Sequence, residues 1–254
     1  MLQSVHNGLK ILRLYSLEHS VWSITEIAKA LQLNKSTVCR LAGDLVIEGF
    51  LQKTGTKYRL GLTLLGLSGV ITSHLEIHRE AKPVLINLVE ELEETAHISI
   101  LEGPDITYLH KVECKHPIRL LSQVGKKNPA SCTSSGKMLL AYQSEKVVQE
   151  IIAAGLLRMG PNSRTDPDEF LQDLHKVKQQ GYSVCIEELH EDVVSIAAPI
   201  RDYTGEVISA VSVAGPKQRM MEDRIPQFIA EIMKAGKEIS SHLGYMESIY
   251  ENGR

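Results

Sequence analysis

SITEIAKALQLNKSTVCRLAGDLVIEG, residues 23–49, decides how the first part of this chain folds. Ser23 stands directly before an apolar-periodic run, and Glu26 follows three residues later. That is the spacing of a capping box, in which side chain and backbone close a helix start reciprocally. A short helix over Ile24 to Leu31 follows. Gln32, Leu33 and Asn34 leave room only for a tight turn, and Asn34 is placed to cap a third helix, Lys35 to Glu48, which Gly49 stops. Two short helices joined by three residues make a helix-turn-helix, whose second member enters the major groove of DNA. Val38, Leu41, Leu45 and Val46 fall on the core side. Lys35, Ser36, Thr37 and Arg40 gather at the amino end on the other side. Their chemistry suits the groove: arginine grips guanine with two hydrogen bonds, and hydroxyls meet base edges or phosphates. Thr25, at the start of the preceding helix, joins this candidate set.

Working outward, Val5, Leu9, Ile11, Leu12 and Leu14 place one apolar face on a first helix over residues 4–17. On the other side, FLQKTGTKYRLG (residues 50–61) reads as two short strands about a turn at Gly55, a β-hairpin wing. Lys53, Lys57 and Arg59 lie near its tip, where they can reach phosphates or a minor groove. Lys57, Tyr58 and Arg59 are the candidate DNA contacts of the wing. Residues 1–66 hold eight basic and four acidic side chains, a net +4, so a chain of net charge −3 leaves −7 for the remainder. A basic head on an acidic body is the asymmetry expected when one module meets a polyanion. The head is taken as residues 1–65.

The totals exclude several classes. With 254 residues, 43% apolar and 23% charged, the chain has the composition of a globular protein. Its apolar runs fall far short of the roughly 18 residues that a membrane span needs. MLQSVHNGLKIL at the amino end lacks the apolar core and cleavage site of a signal peptide. Cys39, Cys114, Cys132 and Cys185 are scattered without a CxxC pair, and reduced thiols in a cytoplasmic protein are expected.

Leu62 to about Glu80 reads as one helix with an apolar seam, a linker (residues 66–80) between the head and a body of residues 81–254. An exposed seam on such a helix suits pairing with its twin. Pro83 is expected to start the next helix, Val84 to Thr95. Strands are expected at His97–Glu102, Ile106–Val112 and 118–124. Helices follow at 134–142, 145–154 and 167–180, then strands at 182–186, 194–201 and 206–213, and a last helix at 219–243. Meandering strands with helices inserted and at the ends give an α+β domain around one antiparallel sheet.

SCTSSGKMLLA, residues 131–141, invites a nucleotide-binding reading. A phosphate loop needs Gly at its first position and Ser or Thr after Gly-Lys. Here Ser131 and Met138 occupy those places, so no nucleotide, and no other cofactor, is expected. The loop still opens a helix, and a helix start attracts anions.

Together SVHNGLKIL, LQLNKSTVCRLAGDLVIEGFL, YRLG, SSGKMLLA, GYSVCIEE and SIAAPIRDYTGEVISAVSVAGP, in this order and over nearly the whole chain, resemble the IclR family of bacterial transcription regulators. The resemblance implies a winged helix-turn-helix, a linker helix and a GAF-like effector-binding domain. It also implies a double-stranded DNA operator, a homodimer that often pairs into a tetramer, and a small-molecule effector, commonly a small carboxylate or aromatic acid. In that family the loop's helix start and the facing strands enclose the effector. Carried over to this chain, Ser134, Ser135 and Gly136 would offer N–H groups to an anion. Cys185, Ser195, Ser212 and Ala214 would face them, and Leu120 would be wall. The family usually has an acid where Cys185 stands, often a cysteine at Ser195, and commonly a glycine at Asp192. A thiol wall in place of an acid favours a ligand with an apolar body and one acid group over a strongly hydroxylated or cationic one.

Two rival chemistries are weaker. His110, Cys114 and His116 share parity on one strand, but they lack a certain fourth ligand, so no metal is expected. Glu187, Glu188, His190 and Asp192 lie close together without a marked nucleophile, so no catalytic residue is expected. The alternative is a DNA reader fused to a small-molecule hydrolase.

Overall fold

Ile11, Ile27, Val38, Ala42 and Leu51 are almost wholly buried, and the first unit is built around them. The computed structural model describes residues 2–16, 19–73, 76–115, 122–220 and 223–246. Two units emerge, residues 1–75 and 76–254. The first holds α1 (Gln3–Leu12), β1 (Trp22–Ser23), α2 (Ile24–Leu31), α3 (Lys35–Ile47), β2 (Leu51–Thr54), β3 (Lys57–Leu60) and α4 (Thr63–Ser73). The strands form a three-stranded antiparallel sheet, β1-β3-β2.

The capping box forms. Glu26 N–H donates to Ser23 Oγ at 3.3 Å, and Ser23 N–H donates to Glu26 Oε2 at 2.7 Å. Hydrogen bonding to the Ser23 hydroxyl and to the Ser23 N–H holds the Glu26 carboxyl below the usual carboxylate range. Gln32 ends α2 in the left-handed region, φ 54°. Asn34 holds the cap position of α3, but its side chain makes no capping bond. The first helix is shorter than expected, and its apolar face is split. Ile11 is buried, whereas Val5 and Leu9 are 57% and 56% exposed, and Leu2 is 74% exposed. α1 packs on α2 and α3 through Ile11 and leaves Val5 and Leu9 on the surface.

The second unit runs α5 (Glu76–Leu92), β4 (Thr95–Glu102), β5 (Asp105–Val112), β6 (Lys127–Pro129), a 3-10 turn (Ala130–Cys132), α6 (Ser134–Leu140), α7 (Glu145–Ala154), α8 (Pro167–Gln180), β7 (Ser183–Ile186), β8 (Val193–Arg201), β9 (Val207–Pro216) and α9 (Ile225–His242). Its six strands form one antiparallel sheet, β6-β5-β4-β9-β8-β7. The fold class is α+β, as expected. Alternation along the strands gives the sheet two covered faces. Ile106, Tyr108, Ala197 and Ala210 pack with α6, α7 and α8. On the other face Gly236 of α9 lies so close to Pro199, Ala198 and Val211 that a Cβ would meet the Pro199 carbonyl at 2.7 Å.

The expected linker helix is helical over its described residues, as α4 and the start of α5, with residues 74 and 75 outside the described residues. The division into units falls at 75/76. Three other expectations change. Pro83 lies inside α5 instead of starting a helix. Ile77, Ala81, Val84, Leu85, Leu88, Val89 and Leu92 form one buried stripe across it, while Pro83 itself is exposed. The missing N–H therefore falls on the solvent side, and burial at roughly 1.5–3 kcal/mol per large side chain outweighs it. Of the strand expected at 118–124, residues 118–121 lie outside the described residues, and 122–124 are not strand; β6 pairs with β5 instead. The last helix starts at Ile225, with a turn over the residues just after Pro216.

Candidate nucleic-acid interface and ligand cavity

The start of α3 carries Lys35, Ser36 and Arg40 exposed and Thr37 half-buried, while Val38, Leu41 and Ala42 seat the helix on the core. Thr25 is exposed in the first turn of α2. In the wing, Lys57 and Arg59 alternate outward, and Arg59 Nε donates to Gln52 Oε1 at 3.0 Å on the paired strand. Tyr58 corrects the expectation. The same alternation turns it inward, to 6% exposure, where it packs with Ile27 and Leu51 and accepts the Tyr15 hydroxyl on its carbonyl at 3.3 Å. It is a core residue of the head and is not available to DNA.

In the second unit, strand pairing brings the residues taken from the resemblance to one place. Cys185 is opposite Ser195, Ser195 opposite Ala214, and Ser212 opposite His97. With Ser134 and Ser135 at the start of α6 they line one cavity, to which Tyr108, Asn128, Glu188 and His190 also contribute. Ser134 and Ser135 are the first two helical positions, whose N–H groups have no partner within the helix. Gly136 does not serve as expected. Its N–H donates to Thr133 Oγ1 at 3.0 Å, and a Cβ on it would collide with the Ala130 carbonyl. Thr133, not a serine, is the cap, and Gly136 is there for close packing. Leu120 lies outside the described residues.

His97 sits on the cavity floor and escaped the sequence reading. Its Nε2 shares a hydrogen bond of 2.8 Å with Ser122 Oγ, and its ring lies 4.7 Å from that of Tyr108. Burial, helped by the Lys111 charge, lowers its pKa to about 3, so the imidazole is neutral at ordinary pH.

Lys137 was also missed as a site residue. It is fully buried, and Nζ lies 2.5 Å from Asp173 Oδ2, 2.8 Å from Glu188 Oε1 and 2.6 Å from Glu188 Oε2. Burial opposes its charge, but the Glu188 and Asp173 carboxylates outweigh it and hold Lys137 above the ordinary lysine range. Burial pushes the Cys185 thiol well up, against the pull of Lys137 and with a further push from Glu188. At neutral pH Cys185 is therefore a thiol, and the charges that hold Lys137 are the two carboxylates. The cavity wall is acidic after all: Glu188, three residues beyond Cys185, supplies the carboxylate. This overturns the thiol-wall argument for an apolar ligand body.

The loop carrying Glu188 is fastened at both ends. Glu187 and Asp192 are left-handed, φ 57° and 58°. Glu187 accepts the Lys217 ammonium at 2.7 Å and the Asp192 N–H at 3.1 Å, and these hold its carboxyl below the usual range. Ser163 Oγ donates to the Glu188 carbonyl at 2.6 Å. Of the three metal candidates, His116 is outside the described residues. Cys114 accepts from Thr95 Oγ1 at 3.8 Å, and His110 meets His78 edge-on at 4.5 Å. Among the described residues no group of three His, Cys, Asp or Glu side chains is arranged to hold a metal ion. Nor is any described helix long and apolar enough to cross a membrane.

Comparison with known proteins agrees with this geometry. Residues 4–55 match the IclR helix-turn-helix domain, and residues 70–241 match the bacterial transcriptional regulator IclR C-terminal domain. The HTH-type transcriptional regulator KdgR of Escherichia coli is 31% identical over 225 residues, 87% of this chain and 86% of that protein. A transcriptional regulator from Rhodococcus sp. RHA1 has a similar structure at TM-score 0.84 and 26% identity, covering 96% of this chain and 98% of that one. An IclR homolog from Microbacterium hydrocarbonoxydans, complexed with 4-hydroxybenzoate, shares the fold at TM-score 0.85 and 24% identity, over 94% and 98%. With an exposed recognition helix on a basic head, a separate unit enclosing a polar cavity, and both family domains matched in order, the chain belongs to the IclR family of DNA-binding transcriptional regulators.

Proposed function

We propose that the chain binds a two-fold operator as a homodimer and that a small organic acid in the cavity of the second unit changes its affinity for that operator. The cavity carries the reading. A folded domain does not bury so many polar side chains around an open space for stability alone, because each buried polar group costs free energy unless it is bonded. Ser134 and Ser135 offer N–H groups and hydroxyls to a carboxylate, and Ser195 and Ser212 add hydroxyls from the sheet. At the level of the fold, the Microbacterium protein with its 4-hydroxybenzoate supports a small acid as occupant.

The head supplies the DNA-binding side. Lys35, Ser36, Thr37 and Arg40 would meet the major groove, with Thr25, Lys57 and Arg59 on the backbone or minor groove. One such head makes too few base contacts to specify a genomic site, so two half-sites are required. Leu2 just before α1, Val5 and Leu9 on it, Ile47, Leu62 just before α4 and Leu65 on it are exposed apolar side chains suited to cover by a second copy. A hydrolytic role finds no support in the cavity, because Glu187 is engaged by Lys217 and Glu188 by Lys137.

Sedimentation at micromolar concentration should give a dimer, and a full operator should bind far more tightly than one half-site. A monomer that binds both equally breaks the dimer reading. Titration of acids against their amides tests the cavity: acids should bind and raise the melting temperature. Equal binding of the amides removes the anion site.

A further inference from the structure

We propose that Asp44 reads the amino group of a cytosine in the operator, which makes it a specificity-determining residue of the head. The inference rests on α3 being the helix that enters the major groove. At about 100° per residue, Ser36, Arg40, Gly43 and Asp44 fall within one arc of about 100°, opposite the buried Val38, Leu41 and Ala42. Asp44 is exposed, and so is Arg40 one turn before it. Among the described residues the two form no ion pair. Nothing in the fold favours a carboxylate at this place. Aspartate is a poor residue for a helix interior, and a negative charge in the last turn opposes the helix dipole. An arginine four residues before an acid is also the less favourable order for a pair. Of the head's other acids, Glu26 closes the capping box, Glu48 is the C-cap of α3, and Glu18 lies outside the described residues.

Against DNA this charge is either a penalty or a reader. Phosphates repel it, which weakens binding to every sequence alike. The donors on the major-groove edge are the amino groups of cytosine and adenine. Adenine sets the acceptor N7 beside its amino group, and a carboxylate is repelled there. Cytosine has no such neighbour on its own edge, so an acid accepts from its N4. Arg40 has the complementary preference, for guanine. Four residues span about 6 Å of helix axis, the length of about two base-pair steps. Arg40 and Asp44 therefore reach bases no more than about two pairs apart. Gly43 suits the approach. A Cβ there would meet nothing within 4 Å, so the packing of the head does not require a glycine, although glycine weakens a helix interior. Bare backbone beside Arg40 and Asp44 lets the helix lie closer to the base edges, within reach of a side chain as short as aspartate.

The test starts from a duplex that the wild-type protein enriches from a random pool. Fluorescence anisotropy at one salt concentration then gives the affinity for that site, for the site with each base pair replaced in turn, and for an unrelated duplex. Wild type, Asp44→Ala, Asp44→Asn and Arg40→Ala are compared. In wild type, replacing one cytosine should weaken binding about tenfold, the scale of a good base contact. That cytosine should lie within about two pairs of the guanine that Arg40→Ala no longer distinguishes. Asp44→Ala should reduce the ratio to about threefold or less. Asp44→Asn should move the preference toward adenine, which asparagine grips with two bonds. Both should bind the unrelated duplex more tightly than wild type, because a charge facing the phosphates is gone. Base preferences that survive both substitutions overturn the proposal. Tightening on all sequences alike does so too, and leaves Asp44 as a repulsive charge only. Arg40→Ala separates the two readings. If it relaxes its guanine while the Asp44 variants change no preference, only the role of Asp44 fails. If it changes no preference either, or if wild type enriches no site, α3 is not the reading helix and both readings fall.

Discussion

The two units keep their polar side chains in opposite places. Among the described residues of the head, Asn7 alone is a buried polar residue, and Lys35, Ser36, Arg40, Lys57 and Arg59 all stand outside a small apolar core. Among its described residues the second unit buries fifteen, including Lys137, Glu188, His97, Ser134, Ser135 and Ser212. The head has separated its means of recognition from its means of folding. In the second unit the same side chains line the cavity and hold the fold. Substitutions at the head's polar surface should therefore change binding alone, whereas substitutions around the cavity should change binding and stability together.

The largest effect that could break this contrast is at Lys137. Lys137→Met leaves Glu188 buried beside a partly exposed Asp173 without a cation, and losing one partner of a buried ion pair costs about 3–5 kcal/mol. Calorimetry should show the second unit melting much earlier. An unchanged melting temperature would mean that the buried cluster is not part of its stability. Next is Arg40. Arg40→Ala should cost about 1–3 kcal/mol of operator affinity and relax preference at one base pair, with no loss of stability. Lys57→Ala should instead weaken all sequences alike and lower the salt slope by about one unit. A fall in melting temperature in either variant would blur the separation.

The effect that is smallest at neutral pH sharpens the contrast as the pH falls. The pKa of His97 is about 3 when folded, against 6.5 for an unperturbed histidine. As pH falls, the unfolded chain takes up this proton first. The stabilising contribution is present above pH 6.5 and is lost progressively down to about pH 3. Within that window it amounts to about 1.4 kcal/mol per pH unit. His97→Gln should flatten the acid limb of stability against pH by that slope. The head buries no histidine among its described residues, and its own melting should show no such limb.

What the sequence disclosed follows the same division. The capping box at Ser23 and Glu26, the turn before Lys35 and the outward face of α3 are local patterns, so residue spacing alone revealed them. Tyr58 was misread because a strand between two basic residues looks uniformly exposed until its pairing decides which side faces in. In the second unit, Cys185, Ser195, Ser212, Ser134 and Ser135 were found through family motifs, and the structure brings them to one cavity. The Lys137, Asp173 and Glu188 cluster was not legible. Its members lie 36 and 51 positions apart along the chain, and each alone resembles an ordinary surface charge. Glu188 in particular was grouped with Glu187, His190 and Asp192 only as a possible catalytic set, yet Ser163 and Lys137 draw it inside.

The clasp that Glu187 makes with Lys217 and with the Asp192 N–H has a consequence in time as well as in space. It closes residues 187–192 into a hoop that carries one wall of the cavity. If the proposed effector leaves past that wall, the hoop must open first, and its residence time would be set by the clasp as well as by the contacts the molecule makes. Lys217 is 34% exposed, within reach of dissolved ions. Added salt screens such a pair. It would then shorten the occupancy of even an uncharged ligand that touches neither Glu187 nor Lys217, leaving the regulator's memory of its signal dependent on the ionic strength around it.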